Sequence, residues 1–283
     1  MEALAAIRTG PLKPDFGLEI VGLDVTRASD AELGTVRDAL FKHGAVVLRD
    51  QSLDPASQVK FTHFFGEPAE NARLEFTVPD FPEIFVISNK IVGDRVIGDP
   101  EAGFGWHTDY TYGKRPAMCT ILHALEVPPV GSDTLLADLL SAWEALPDER
   151  RREASGKVIH HSYEQLMRKQ GRTITPVQKE MLPDVYHPMV RLLPEDGRKS
   201  LWVAKGTAHE VMGMPNPEGL DLIQSLVDFA TQDQFIYRHK WRRGDLLIWD
   251  NRRTLHTGTP FDMKNHTRHI HRTWVRGEVP IPA

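Results

Sequence analysis

The chain has one cysteine, Cys119, among 283 residues. No intrachain disulfide is possible, and a reducing, cytoplasmic compartment is expected. No apolar run approaches the length of a membrane span. The start, Met1-Glu2-Ala3-Leu4, lacks the basic-then-apolar pattern of a secretory signal. Basic charge is not in excess either: the net charge is -5. That excludes nucleic acid as a main partner, and nothing calls for a membrane partner. Arg150-Arg151-Arg152 reads as a solvated helix face. There is no internal repeat and no low-complexity linker. What remains is globular composition, 41% hydrophobic and 26% charged, of a length that suits a single domain over residues 1–283.

The patterning predicts many short strands and a few helices. Phe16 to Val25 reads as early strands broken at Gly22. Ser29-Asp30 is an N-cap signal, followed by a helical stripe of Leu33, Val36, Leu40 and Phe41 that ends near Gly44. Ala45 to Leu48 is a buried strand, and Asp54-Pro55 opens a second helix that stops at Gly66. Further strands are expected at Glu83 to Ser88, Cys119 to Leu125, Thr134 to Ala137, Leu201 to Val203 and Arg268 to Val275. Asp138 to Glu153 and Glu218 to Thr231 read as helices. Phe235 to Trp241 and Leu246 to Trp249 suggest a hairpin through Arg243-Gly244-Asp245. A polar, helical excursion is expected around 164–199. Gly93 to Gly105 is a loop that serves either as a lid or as a surface excursion. The fold class is mainly β with added helices, around a β-sandwich or jelly-roll core.

Chemistry concentrates in a few residues. His107 and Asp109 stand two apart, so an extended strand would turn both to one face. His256, after Trp249-Asp250-Asn251, would complete two histidines and one carboxylate. That set leaves half a coordination sphere open, as in non-heme Fe(II) oxygenases. Each half has a plainer reading: a strand-end histidine satisfied by a carboxylate, or a solvated loop histidine. Arg268 and Arg272 share a strand face. Two like charges there fit either a solvent-facing edge strand or a pocket that binds carboxylates bidentately.

Taken in order, the WHTD segment, PPVGSDT, WDNRRTLH and RHIHR resemble the Fe(II)- and 2-oxoglutarate-dependent dioxygenases typified by the taurine and 2,4-dichlorophenoxyacetate enzymes. The resemblance spans most of the chain. It implies a double-stranded β-helix, a jelly-roll (cupin-like) variant. It implies that His107, Asp109 and His256 hold iron, and that Arg268 and Thr134 hold the distal carboxylate of 2-oxoglutarate. Arg272 would lie by the metal and hold an anionic group. With O2 as second cosubstrate, the implied reaction is hydroxylation of a C–H bond, with C–O, C–S or C–N cleavage to follow from some products. The carboxylate ligand favours hydroxylation over halogenation. The implied partner is a small anionic substrate, a carboxylate such as an aryloxyalkanoate or a sulfonate, and homo-oligomers are common in the family. Tyr110, Tyr163 and Asn71 are the candidate substrate residues, with Phe104, Lys205 and Thr207 nearby. Asn71 replaces a histidine that the taurine enzyme uses, which argues against taurine. Two other classes share these residues: a zinc-dependent hydrolase with the same His/Asp/His site, and a non-catalytic jelly-roll that senses a small anion.

Overall fold

Two capped helices show how directly the sequence writes local structure. Ser29 accepts from the backbone N–H of Glu32, and the Glu32 carboxylate accepts from the Ser29 N–H, closing a capping box at the head of helix Asp30–His43. Gly44 ends that helix in the left-handed region, φ 80°, and its N–H donates to Leu40. Asp54 caps helix Pro55–Phe65 with proline in its first turn. These features belong to a computed structural model that describes residues 7–283 except 70 and 72. The opening Met1-Glu2-Ala3-Leu4 lies outside the described residues.

Both helices cover the outer face of an eight-stranded sheet. Its spatial order is Arg8–Lys13, Phe16–Val21, Ala45–Leu48, Leu246–Asp250, Ala117–Glu126, His269–Arg276, Phe81–Ser88 and Thr77–Val78. All neighbours are antiparallel except Phe16–Val21 beside Ala45–Leu48. Strand alternation sorts the side chains. Val46, Leu48, Ile121, Ile248 and Val275 face outward onto Leu33, Val36, Leu40 and Phe61. Val47, Leu122, Leu247, Trp249 and Ile270 face inward, where they meet Leu136. Each wholly buried aliphatic side chain of this kind contributes about 1.5–3 kcal/mol.

Leu136 belongs to a second, three-stranded sheet in the order Ile236–His239, Thr134–Asp138, Thr254–Gly258. Its opposite face, with Ala137 and Leu255, packs with helix Asn216–Ala230 through Leu222, Ile223 and Leu226. The layers are therefore helices, large sheet, small sheet, helix: the jelly-roll arrangement expected, with the site between the sheets. Since Leu255 faces outward, its neighbour His256 faces in.

Several expectations change. Ile236–His239 and Leu246–Asp250 do not form a hairpin. The first pairs in the small sheet and the second in the large one, because the chain crosses the sandwich at Arg243-Gly244-Asp245. The helix expected at Asp138 to Glu153 is two, Leu139–Ala145 and Asp148–Ala154, divided at Leu146-Pro147. Proline lacks the N–H that would have continued the first helix. The last strand is no edge: His269–Arg276 lies between Ala117–Glu126 and Phe81–Ser88. Finally, His256 sits on strand Thr254–Gly258 and not in a loop. The segment 164–199 divides. Its first part holds the end of helix Tyr163–Lys169 and helix Pro176–Met181, whereas Val185–Pro188 and Val190–Leu192 are strands, with Met189 and Val190 in the core.

Candidate active site

His107 and Asp109 do not reach their common face from a regular strand. His107 forms a single β-bridge with His256. Its N–H donates to the His256 carbonyl at 3.0 Å, and the His256 N–H donates back at 2.8 Å. Asp109 then enters a turn, in which Tyr110 takes a left-handed backbone conformation, φ 58°. One bridge thus joins segments about 150 residues apart and brings three donors together. His107 Nε2 lies 3.8 Å from Asp109 Oδ1, and His256 Nε2 lies 3.5 Å from Asp109 Oδ2. The three donor atoms fall within 4.8 Å of one another.

The surroundings suit a cation. His107 Nδ1 donates to the Gly105 carbonyl at 2.7 Å, which leaves the lone pair on Nε2 toward Asp109. Burial pushes the His256 imidazole down to about 3, reinforced by His107 and Arg272 against the pull of Asp109, so it stays neutral. Burial would push the Asp109 carboxyl up. His256, Arg272, His107 and the Thr120 hydroxyl together outweigh it and hold the group below the usual carboxylate range. Two imidazoles and one carboxylate are a sound donor set for iron(II).

Two cavities meet at this triad. The inner one is lined by Thr134, Trp241, His256 and Arg268. The outer one, of about 560 Å³, is lined by Asn71, Tyr110, Tyr163 and Trp274. His107, Asp109 and Arg272 border both. Arg268, Ile270 and Arg272 point inward, as the side chain of Ile270 in the inner core requires. The Arg268 guanidinium is buried and, among the described residues, donates only to the carbonyls of Pro100 and Ala102. Nothing among the described residues accepts from its Nε. Burial lowers it to about 10, with Asp99 opposing, so it remains a cation at neutral pH. Thr134 Oγ1 accepts from Trp241 Nε1 at 3.1 Å. Arg272 packs over Trp274 and Phe85, 4.0 and 4.5 Å from the ring centroids, and lies 3.8 Å from Asp109. A buried cation facing a cavity with no hydrogen-bonded acid fits an anionic ligand.

The other expected residues separate. Tyr110 and Tyr163 both line the outer cavity, and Tyr112, which sequence reasoning missed, lies between them with its ring tilted against both, at centroid distances of 4.9 and 4.7 Å. Burial drives the Tyr112 phenol up, so it stays protonated. Asn71 lines the cavity, but its amide donates to the carbonyls of Pro82 and Glu83. Phe104 and Thr207 also line it. Lys205 points to solvent and pairs with Gln224. The loop Gly93 to Gly105 acts as a wall: Gly258 donates to Gly103 at 2.7 Å, and Gly103 borders both cavities. Thr120, in hydrogen-bond contact with Asp109, had no signal of its own in the sequence.

Comparison with known proteins gives the same result. The chain is 30% identical to the alpha-ketoglutarate-dependent 2,4-dichlorophenoxyacetate dioxygenase of Cupriavidus pinatubonensis, over 91% of this chain and 94% of that one. It is 32% identical to the (S)-phenoxypropionate/alpha-ketoglutarate-dioxygenase of Sphingobium herbicidovorans, over 91% of each. The crystal structure of a taurine dioxygenase from Burkholderia xenovorans superposes with a TM-score of 0.81 at 32% identity, covering 98% of this chain and 92% of that one. The family described as taurine catabolism dioxygenase TauD, TfdA family matches residues 8–274, and the chain belongs to it as an iron(II)- and 2-oxoglutarate-dependent dioxygenase.

Proposed function

We propose that the enzyme hydroxylates a C–H bond of a small carboxylate with an aromatic body, of the aryloxyalkanoate kind. The observation that carries this reading is the pair of cavities meeting at one triad, with the buried Arg268 lining the inner one and the largely buried Arg272 standing at their boundary. In this reading His107, Asp109 and His256 hold the iron. Arg268 and Thr134 receive the distal carboxylate of 2-oxoglutarate in the inner cavity: a planar guanidinium matches a carboxylate bidentately, and the threonine hydroxyl donates. Arg272, at the boundary, receives an anionic group beside the metal. Tyr110, Tyr112, Tyr163 and Trp274 offer ring faces and edges to an aryl group. A volume of about 560 Å³ is that of a small-molecule site. The two relatives quoted act, by name, on aryloxyalkanoates.

When bound, iron with 2-oxoglutarate and O2 supplies the oxidising power: one oxygen atom enters the substrate C–H bond, the other enters succinate, and CO2 leaves. The protein's part is placement and shielding. Arg268 and Arg272 fix two anions relative to the triad, and the aromatic wall keeps water from the carbon to be oxidised. A hydroxyl set beside an ether oxygen gives a hemiacetal, which splits to a phenol and a carbonyl acid without further catalysis. The single cysteine is consistent with a cytoplasmic enzyme.

The test is a panel of aryloxyacetates, aryloxypropionates, alkanesulfonates and taurine. Each is scored for substrate-dependent succinate and for phenol release with Fe(II), ascorbate and O2. Aryloxy acids should drive succinate formation most strongly, and Asp109→Ala should abolish it. Preference for taurine or a short alkanesulfonate would overturn the substrate class. An active Asp109→Ala variant would overturn the assignment of the triad.

A further inference from the structure

The motif Trp249-Asp250-Asn251 holds no metal ligand and borders the inner cavity only through its tryptophan. Its role emerges from hydrogen-bond direction. An indole N–H can only donate. Trp249 Nε1 lies 2.9 Å from Asn251 Oδ1, so the Asn251 amide must present its oxygen to Trp249 and its NH2 to the other side. There Nδ2 donates to Thr120 Oγ1 at 2.8 Å. With that acceptance made, the Thr120 proton goes to Asp109 Oδ2 at 2.6 Å, an atom that can only accept. All four side chains are buried. The direction of every proton is set by the indole, and the chain ends on a metal-binding carboxylate. The Trp249 ring also rests 4.6 Å from the His256 imidazole and braces a second ligand.

We infer that Thr120 is a positioning residue, held by the relay Trp249 to Asn251 to Thr120, that keeps Asp109 a one-oxygen ligand. Oδ2 is tied to Thr120, whereas Oδ1 lies 3.8 Å from Arg272 Nη1. The Thr120 hydroxyl is the one hydrogen bond on this carboxylate among the described residues, and turning Asp109 about its Cβ–Cγ bond would break it, while Arg272 adds only a longer-range attraction at Oδ1. The count of positions makes this matter. Two histidines and a one-oxygen carboxylate would leave three positions of a bound metal open to the cosubstrates. A chelating carboxylate would leave two. The inference rests on the iron and 2-oxoglutarate reading above.

The test uses the full-length protein loaded anaerobically with Fe(II). Its readouts are Fe(II) affinity, 2-oxoglutarate affinity and the visible charge-transfer absorption of an iron(II)–keto-acid chelate. Thr120→Val keeps the shape and removes the hydroxyl. It should bind Fe(II) within a few-fold of wild type, weaken 2-oxoglutarate roughly tenfold, and shift or lose the absorption. Thr120→Ser restores the donor and should restore the spectrum. Trp249→Phe removes the indole N–H together with part of the buried ring that packs on His256, and should give a change of the same sign; it serves if Thr120→Val does not fold. A folded Thr120→Val, or failing that Trp249→Phe, with wild-type 2-oxoglutarate affinity and spectrum overturns the relay. A wild-type protein that never forms the chelate absorption overturns the cofactor reading itself, a distinguishable result.

Discussion

At the scale of single residues, the arginines divide by their partners. Arg253 is buried against Asp138 at 2.8 Å, and Arg252 against Asp250 and Glu195 at the same distance. Each has a hydrogen-bonded acid and serves the framework. Arg268 is as deeply buried, yet it hydrogen-bonds only carbonyl oxygens. A guanidinium in that condition costs stability, which an incoming carboxylate offsets. Arg268→Ala is therefore expected to raise the KM for 2-oxoglutarate about 100-fold, the loss of a buried charged hydrogen bond, while Fe(II) affinity stays near wild type. Arg268→Lys should recover little, because an ammonium lacks the planar fork. Titration of 2-oxoglutarate against succinate formation checks both. An unchanged KM in Arg268→Ala would place the keto acid elsewhere.

At the scale of elements, the sequence was most legible where a signal is local. The cap at Ser29-Asp30, Asp54 with Pro55, and the stripe along Asn216–Ala230 each act within one or two turns and fold as expected. Where two strands meet was not legible. Ile236–His239 and Leu246–Asp250 alternate like hairpin strands, but nothing in Arg243-Gly244-Asp245 says that the chain crosses between sheets. Arg49 and the backbone of Gln51 decide it, through Asp245 and Gly244 from about 195 residues away. The triad itself was legible as residue types, whereas the bridge that joins His107 to His256 is a long-range contact. Tyr112 and Thr120 were missed for the same reason. One local signal also has a long reach. Gly44 sits at φ 80°, and its carbonyl accepts from the N–H of Asp250, in the motif beside the site. An added Cβ would meet Phe16 Cε2 at 2.8 Å and Arg253 Nε at 3.0 Å. Gly44→Ala is expected to destabilise by about 1–3 kcal/mol through the left-handed backbone and this crowding. Urea unfolding measures it, and a loss below a few tenths of a kcal/mol would show that the helix end adjusts freely.

At the scale of the whole molecule, the histidines away from the site set an acid limit. His123, His161, His187, His239 and His271 are buried. Burial lowers each of them, opposed in part by partners such as Asp245 beside His239 and the Gly113 carbonyl beside His187. For His271 the result is about 3, with His269 and His123 adding to the effect. The unfolded chain regains ordinary imidazoles near 6.5. Below that pH it therefore binds protons that the folded protein refuses, and stability falls as pH falls. Above about pH 7 the contribution is complete and flat. Between pH 6.5 and 5.5 a histidine held as low as His271 removes about 1 kcal/mol. The other four act in the same direction, and even one such contribution is an appreciable share of the ~5–15 kcal/mol of a typical domain. Depressed carboxyls such as Asp245 and Asp184 act in the same direction, but only at lower pH. The interval from pH 7 to 5 therefore isolates the imidazoles. Urea unfolding with chelator present, to keep metal from His107 and His256, should show stability level above pH 7 and declining steadily to pH 5. A flat profile across that interval would mean that these histidines protonate inside the fold, and that the buried networks at His161–His187 and His123–His271 open to water well before the protein unfolds.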